Sequence, residues 1–516
     1  MFIDARSVTS ETLVGTDLCI VGGGAAGITL ARELASSSFG VVLLESGSTA
    51  FEHDTQELYV GRNIGRPYLD LATCRLRYFG GTTNHWGGWC APLNEVDFEE
   101  REGFPYSGWP FDKAHLDPWY RRAHEVCRLG AYDYGLTSWN ISPQDIPEPF
   151  RGPHFISKIS RSNPTRFGTA YKPDLDGPPR VTVYLNANAV GFDTNEAGTE
   201  VQELRVAALS GTRFRVRARI YVLAAGGIEN ARLLLLSGKS DKGLGNERDL
   251  VGRFFMVHLT YSGGAIAVSD PYINVNFANS LAQPHDFFLY IGLSDETMRA
   301  IKLPNFRFTV EYKFANVIRA VDALKRLADT NDPEGRWVDV QKVVRDLDGL
   351  AKYSVRKAFS LQAMPIEAMI LHCDSEQLPN PESRVSLGSK RDALGLREVV
   401  LDWRLTAEDK RNVNAVHRLL GAEVGRAAFG RLRYMLDEDD SIWPEDLRGN
   451  EHHMGTTRMH RDPAKGVVDE NCRVHGLANL YVAGSSVFPT GGVANPTLTI
   501  VTLALRLADH IKEQLA

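Results

Sequence analysis

The sequence predicts an α/β protein: a discontinuous Rossmann-like domain, with a second α+β domain on a largely antiparallel sheet inserted into it. Three observations carry this. DLCIVGGG (17–24), AAGITLARELAS and VVLLESG (41–47) read as buried strand, helix and buried strand, a βαβ unit of ordinary length. The same patterning returns at the end, where NLYVAGSSVFPTGG reads as a strand into a glycine turn and TLTIVTLALRLADHIKEQL as a closing helix. Between them the pattern changes character. A chain of 516 residues also exceeds one ordinary core. The expected division is 1–260 with 445–516, and 261–444 for the insert.

The elements follow in order. Residues 61–110 are rich in glycine, tryptophan and asparagine and lack a period, which suits loops covering a site. WPFDKAHLDPWYRRAHEV is a helix entered through Pro and Asp. VTVYLNANAV (181–190), VQELRVAAL (201–209) and FRVRARIYVLAAGG (214–227) read as strands, and ENARLLLLS (229–237) as a helix. Alternation near 263–268 and 306–313 predicts antiparallel strands. ANVIRAVDALKRLAD and WVDVQKVVRDLDGLAKYSVRKAF have helical periodicity, and their apolar stripes are expected to face the core. The acidic run Asp437 to Asp440 reads as a solvated face.

Composition excludes several classes. A hydrophobic fraction of 43% and a charged fraction of 24% are those of a globular protein, and a net charge of −6 argues against a nucleic-acid binder. Six scattered cysteines form no CxxC pair, so neither a metal site nor a disulfide framework is expected. No signal peptide or membrane span is read, and the expected setting is the cytoplasm.

Gly22, Gly24 and Gly27 fit GxGxxG between the first strand and its helix. The first permits the tight turn, the second lets backbone approach a pyrophosphate, and the third lets helix and strand pack. Ala25 and Ala26 open the helix, where free N–H groups favour anions. Glu45 ends the second strand about 20 residues on, where an acid accepts ribose hydroxyls. The fingerprint does not separate NAD from FAD.

Distant segments then agree in order: VGGGAAGITLARELA with LLESG, FGGTTNHWGG (79–88), YVLAAGGIENARLLL (221–235), GRFFMVH (252–258), EQLPNPESRVSL (376–387), HHMGTTRM (452–459) and NLYVAGSSVFPTGGVANPTLTI (480–500). Together they resemble the glucose–methanol–choline (GMC) oxidoreductases, from about residue 15 onward and most weakly between 265 and 370. The TTNHW segment and the NPT ending look most like the sugar-oxidising branch, which holds pyranose oxidases and bacterial flavin-dependent sugar and glycoside dehydrogenases. The resemblance implies an FAD-binding domain joined to a substrate domain. It also implies oxidation of a hydroxyl of a sugar, glycoside or polyol, with an oxidase acting on another alcohol, or a lyase whose flavin is redox-idle, as the alternatives. A dehydrogenase is favoured over an oxidase, and oxygen, a quinone or a protein stays open as acceptor, as does the oligomeric state. No cysteine lies between RFGTAY (166–171) and Val190, so the iron–sulfur insertion of some relatives is not expected.

By the same resemblance, His452 and Asn495 form the active pair. Neighbouring residues diverge in direction, so His452 is assigned to the substrate and His453 to backing. A neutral His452 takes the hydroxyl proton while hydride leaves carbon, and activity should rise with pH through the histidine range. The amide of Asn495 donates to the developing alkoxide and can touch the flavin ring. Gly81, Thr82, Asn84, His85 and Trp86 should line the isoalloxazine. In pyranose oxidases a His before Trp in this loop can bond to the flavin; non-covalent binding is favoured, with a covalent link at His85 the alternative. The backbone of Val190 should meet the adenine, Ala225 the adenosine or pyrophosphate, and Gly484 and Ser485 the ribityl and phosphates. Thr497, in the NPT ending, completes the cofactor set, and Trp86, Trp89 and Trp109 are candidates for stacking on a pyranose.

Overall fold

The structure is a computed structural model that describes all residues except 271, 275–285, 315, 329–335, 359–362 and 440. Asp440 of the acidic run, and the ends Ala315, Asp329 and Phe359 of the two amphipathic segments, lie outside the described residues.

The first layer is a sheet ordered Phe2–Asp4, Val181–Leu185, Val41–Leu44, Leu13–Val21, Arg213–Leu223, Val201–Ala207 and Asn188–Thr194, with Leu480–Val482 added beside Arg213–Leu223. The strands from Phe2–Asp4 to Arg213–Leu223, and Leu480–Val482, pair in parallel. The last two pair antiparallel. The apolar run expected over 181–190 is therefore two strands. Asn186, with φ +57°, breaks it between Leu185 and Asn188, and asparagine tolerates that left-handed conformation. The helix expected from residue 229 starts earlier, as Gly226–Leu235. Helices Ala25–Leu34, Lys113–Val126 and Thr497–Leu515 pack together on this side, and Asp112 caps the second by accepting from the N–H of His115 at 2.8 Å.

The second sheet is ordered Gly430–Tyr434, His258–Val268, Ala363–Glu376, Phe306–Phe314, Phe287–Leu293, Phe155–Ser162 and Trp89–Cys90. Its ladders are antiparallel. It has its own core, around Ile291, Phe308, Leu371 and Leu420. Its membership departs from the expected 261–444 in two ways. It recruits residues 89–90 and 155–162. The hairpin Arg384–Arg391 with Arg397–Asp402 instead pairs with Gly61–Asn63 and buries Val385, Leu401 and Trp403 in the first core.

The expected core-facing stripes are a second departure. Ala320 and Ala323 are buried, but Leu324, Trp337, Val338, Val344 and Leu347 are exposed. Helices Asn316–Ala328 and Arg336–Arg345 pack on each other. Between them Asp339 receives Arg326 at 2.8 Å and Lys342 at 3.1 Å, so a charged residue occupies the inward position that periodicity gave to apolar ones. No helix among the described residues is long and apolar enough to cross a membrane.

Candidate active site and cofactor cavity

A cavity of about 740 Å³ runs between the two layers, within the usual range for small-molecule and cofactor sites. Its floor is the glycine turn. Gly22 has φ +109°, and a Cβ there would lie 2.5 Å from the Ala224 carbonyl oxygen. A Cβ on Gly27 would come within 1.9 Å of the Gly22 oxygen. A Cβ on Gly24 would meet no protein atom within 4 Å. Two of the three glycines are thus demanded by packing; the third keeps open space in the cavity wall. Ala25 and Ala26 also line it, at a helix start with no side-chain cap.

Glu45 is buried on the same wall and accepts from the N–H groups of Gly23 and Gly47, both at 2.8 Å. Burial raises its pKa, and those donors together with Arg77 oppose the rise. Ala225, Gly484 and Ser485 line the cavity. Val190 does not; the neighbouring Ala187 and Ala189 do.

Of the loop residues, Gly81, Thr82, His85 and Trp86 line the cavity. Asn84 does not: its amide donates to the Phe79 carbonyl at 2.9 Å, and the residue borders a separate, smaller cavity. His85 Nε2 lies 2.9 Å from the Tyr78 hydroxyl. The Trp86 indole donates to the Thr165 carbonyl at 2.9 Å. Trp89 lines the cavity against Phe288, whereas Trp109 is buried and donates to Thr490 at 2.9 Å.

Periodicity gave no sign of the guanidinium cluster on this wall. Glu229 receives Arg75 at 3.0 Å, Arg232 at 3.3 Å and Arg77 at 3.4 Å. Burial opposes its ionisation, but the three cations pull its pKa down to about 2. The buried Arg77 Nε has no hydrogen-bond partner among the described residues. An open glycine turn at a helix start, a buried acid and the guanidinium residues Arg75, Arg77 and Arg232 lining one cavity together fit a dinucleotide cofactor with its pyrophosphate.

At the other end, Asn495 Nδ2 lies 3.2 Å from His452 Nε2. Both residues and Thr497 line the cavity. The bridges Leu259 to Gly449 and Met256 to Met454 run the two segments antiparallel, which sets His452 opposite His258. Their Nδ1 atoms are 3.0 Å apart, and His258 Nε2 lies 3.5 Å from the Gly491 carbonyl oxygen. Arg307 Nη1 donates to Asn495 Oδ1 at 2.9 Å, while its Nε and Nη2 hold Asp374 at 3.0 and 2.6 Å. Thr260 donates to the other Asp374 oxygen at 2.6 Å. His258, Arg307 and Asp374 escaped the sequence reading, although His258 closes the segment GRFFMVH.

His453 faces elsewhere in the same wall. Its ring stacks on Phe255 with centroids 5.9 Å apart, and its Nε2 is 3.6 Å from Cys74 Sγ. Burial, then Arg75, pushes its pKa down to about 3. Burial, with His258 and Arg307 next, holds His452 well below the ordinary histidine range. The expected pH dependence therefore shifts: protonation of His452 on acidification is displaced below the ordinary histidine range.

Residues 17–298 match the family model described as FAD dependent oxidoreductase, and residues 379–504, which hold His452 and Asn495, match that described as GMC oxidoreductase. The chain is 25% identical to 6'''-hydroxyparomomycin C oxidase of Streptomyces lividus, over 97% of this chain and 92% of that one. It is 24% identical to the fructose dehydrogenase large subunit of Gluconobacter japonicus, over 98% and 99%. Among solved structures, pyridoxine 4-oxidase of "Mesorbium loti" superposes with a TM-score of 0.58 at 18% identity, covering 96% of this chain and 99% of that one.

Proposed function

The chain belongs to the FAD-dependent oxidoreductases, in their GMC family, and from that premise we propose that it oxidises a hydroxyl of a sugar, glycoside or related polyol to a carbonyl. The observation that carries this reading is the 3.2 Å pairing of His452 Nε2 with Asn495 Nδ2 on the cavity wall. An alcohol oxygen is both donor and acceptor; entering between the two, it takes over the Nε2 lone pair that an Asn495 N–H otherwise occupies and accepts that N–H in turn. His452 Nε2 takes the hydroxyl proton. The Asn495 N–H displaced from Nε2 holds the oxygen as negative charge develops. FAD, when bound, supplies the hydride acceptor. Gly22, Gly24, Ala25, Ala26, Glu45, Ala225, Gly484 and Ser485 would hold its nucleotide part, with Gly81, Thr82, His85, Trp86 and Thr497 nearer the reacting end. The sugar assignment is supported by relatives named for oxidation of paromamine, fructose and C-glycosides.

His85 is engaged by Tyr78 and is read as a non-covalent neighbour of the flavin. All six cysteines are free, which supports a reducing compartment such as the cytoplasm, where a dehydrogenase avoids peroxide. The test is an anaerobic spectral titration of the yellow protein with monosaccharides, glycosides, polyols and simple alcohols. Bleaching by sugars or polyols supports the proposal, and slow reoxidation in air supports a dehydrogenase. A flavin that none of them bleaches refutes it.

A further inference from the structure

The two ends of the hydrogen-bond chain through His452 have only one direction open to them. A guanidinium has donors and no acceptor, so the Asn495 atom 2.9 Å from Arg307 is the carbonyl oxygen. The amide NH₂ of Asn495 then faces His452 Nε2 at 3.2 Å, and that nitrogen must be bare to accept. In a neutral imidazole the proton is then on Nδ1, which donates to His258 Nδ1 at 3.0 Å. His258 carries its own proton on Nε2, facing a group that only accepts, the Gly491 carbonyl. The donor-only and acceptor-only ends impose the same polarity, so no link is frustrated.

Sheet register builds the controlling end. Asp374 stands directly opposite Thr260 on one side and Arg307 on the other, and directly opposed residues share a face at close range. Thr260 and Arg307 both donate to Asp374, which leaves one Arg307 nitrogen for Asn495. Arg307 is buried, so water is a poor substitute for it.

We propose that Arg307, held by Asp374, is a positioning residue that fixes the amide orientation of Asn495 and thereby the Nδ1–H tautomer of His452, leaving Nε2 without a proton so that a substrate hydroxyl can displace the Asn495 N–H from its lone pair. This rests on the reading of His452 as the base, but the tautomer is measurable without turnover.

The experiment uses the FAD-loaded enzyme labelled with ¹⁵N-histidine, with His452 signals assigned by their loss in His452→Gln. Wild type should show a protonated Nδ1 and a bare Nε2. Arg307→Gln, whose amide can donate or accept, should give a tautomer mixture and a kcat lower by about 10–100-fold with KM nearly unchanged, the scale seen when an orienting partner is lost. Arg307→Lys, still a pure donor, should restore the tautomer and most of kcat. Asn495→Asp decides the matter if Arg307→Gln does not fold: a carboxylate between Arg307 and His452 can only accept, so the proton should move to Nε2. An unchanged tautomer in Arg307→Gln, or in Asn495→Asp, overturns the proposal. So does equal kcat loss in Arg307→Lys and Arg307→Gln without a tautomer change, since that is a purely structural role. Full activity in His452→Gln would instead remove the base assignment and leave the tautomer result standing.

Discussion

Substituting Gly24 and Gly27 by alanine separates what the fold needs from what the cofactor needs. Gly24 has φ −89° and ψ −163°, an extended conformation open to alanine, and its added Cβ meets no protein atom within 4 Å. Gly24→Ala should therefore leave the cofactor-stripped protein as stable as wild type, or more stable by about 0.4–1 kcal/mol through the unfolded chain. Gly27→Ala places a Cβ 1.9 Å from the Gly22 oxygen, where ordinary contact begins near 3.4 Å. Helix and strand must part by well over an ångström, which costs about 1–3 kcal/mol or more. For FAD the order reverses in kind. A methyl on Gly24 holds the pyrophosphate off the turn, and losing one hydrogen bond to a charged group costs about 1.5–3 kcal/mol, roughly a 10- to 150-fold weaker Kd. Denaturant unfolding of the stripped protein and FAD titration by fluorescence quenching measure the two effects. Wild-type FAD affinity in Gly24→Ala, or wild-type stability in Gly27→Ala, would refute this account of the turn.

His452→Gln should bind flavin normally and lose about 10²–10⁴-fold in kcat; wild-type kcat should stay level from pH 6 to 8, and a steep rise across that interval would contradict a neutral, buried base. Burial pushes His124, His258 and His417 to about 4 and His453 to about 3. Below about pH 6.5 the unfolded chain binds protons that these buried rings refuse. Stability should therefore fall as pH drops from about 6.5 towards 4, by up to about 1.4 kcal/mol per unit for each histidine, and unfolding curves that coincide at pH 7 and pH 5 would refute it. Glu229→Gln should cost about 3–5 kcal/mol, because Arg75, Arg77 and Arg232 lose their shared buried carboxylate; urea unfolding that shows less than about 1 kcal/mol would put that cluster in solvent.

What was legible in the sequence was what local geometry dictates. The turn at Gly22 and Gly27 is a matter of a few adjacent backbone atoms, so its spacing can be read directly. The parallel strands announce themselves as apolar runs because both faces are covered. His452 and Asn495 became visible only through the ordered motifs around them. Arg307 gave no signal: in FRFTVEYKF it is simply the polar member of an alternating strand. Its role exists because two long-range pairings align it with Asp374 and Thr260, and register across a sheet is not written in any one strand. The helices of residues 316–358 failed for the opposite reason. Their period was right, but period alone does not say which face turns inward, and Asp339 with Arg326 occupies the contact.

The proposed catalytic pair is assembled from both layers. Asn495 precedes the last helix of the first domain, whereas His452 follows Arg448–Gly449, a strand on the edge of the second sheet. Their 3.2 Å contact therefore depends on how the layers dock. Arg307 and His258 reach the pair from the second sheet alone. Changes in that sheet should thus alter the proposed base and its partner without touching the glycine turn, and cofactor retention and turnover are expected to be separable. A variant of Arg307 or Asp374 that lost FAD as readily as it lost kcat would show instead that the two layers act as one unit.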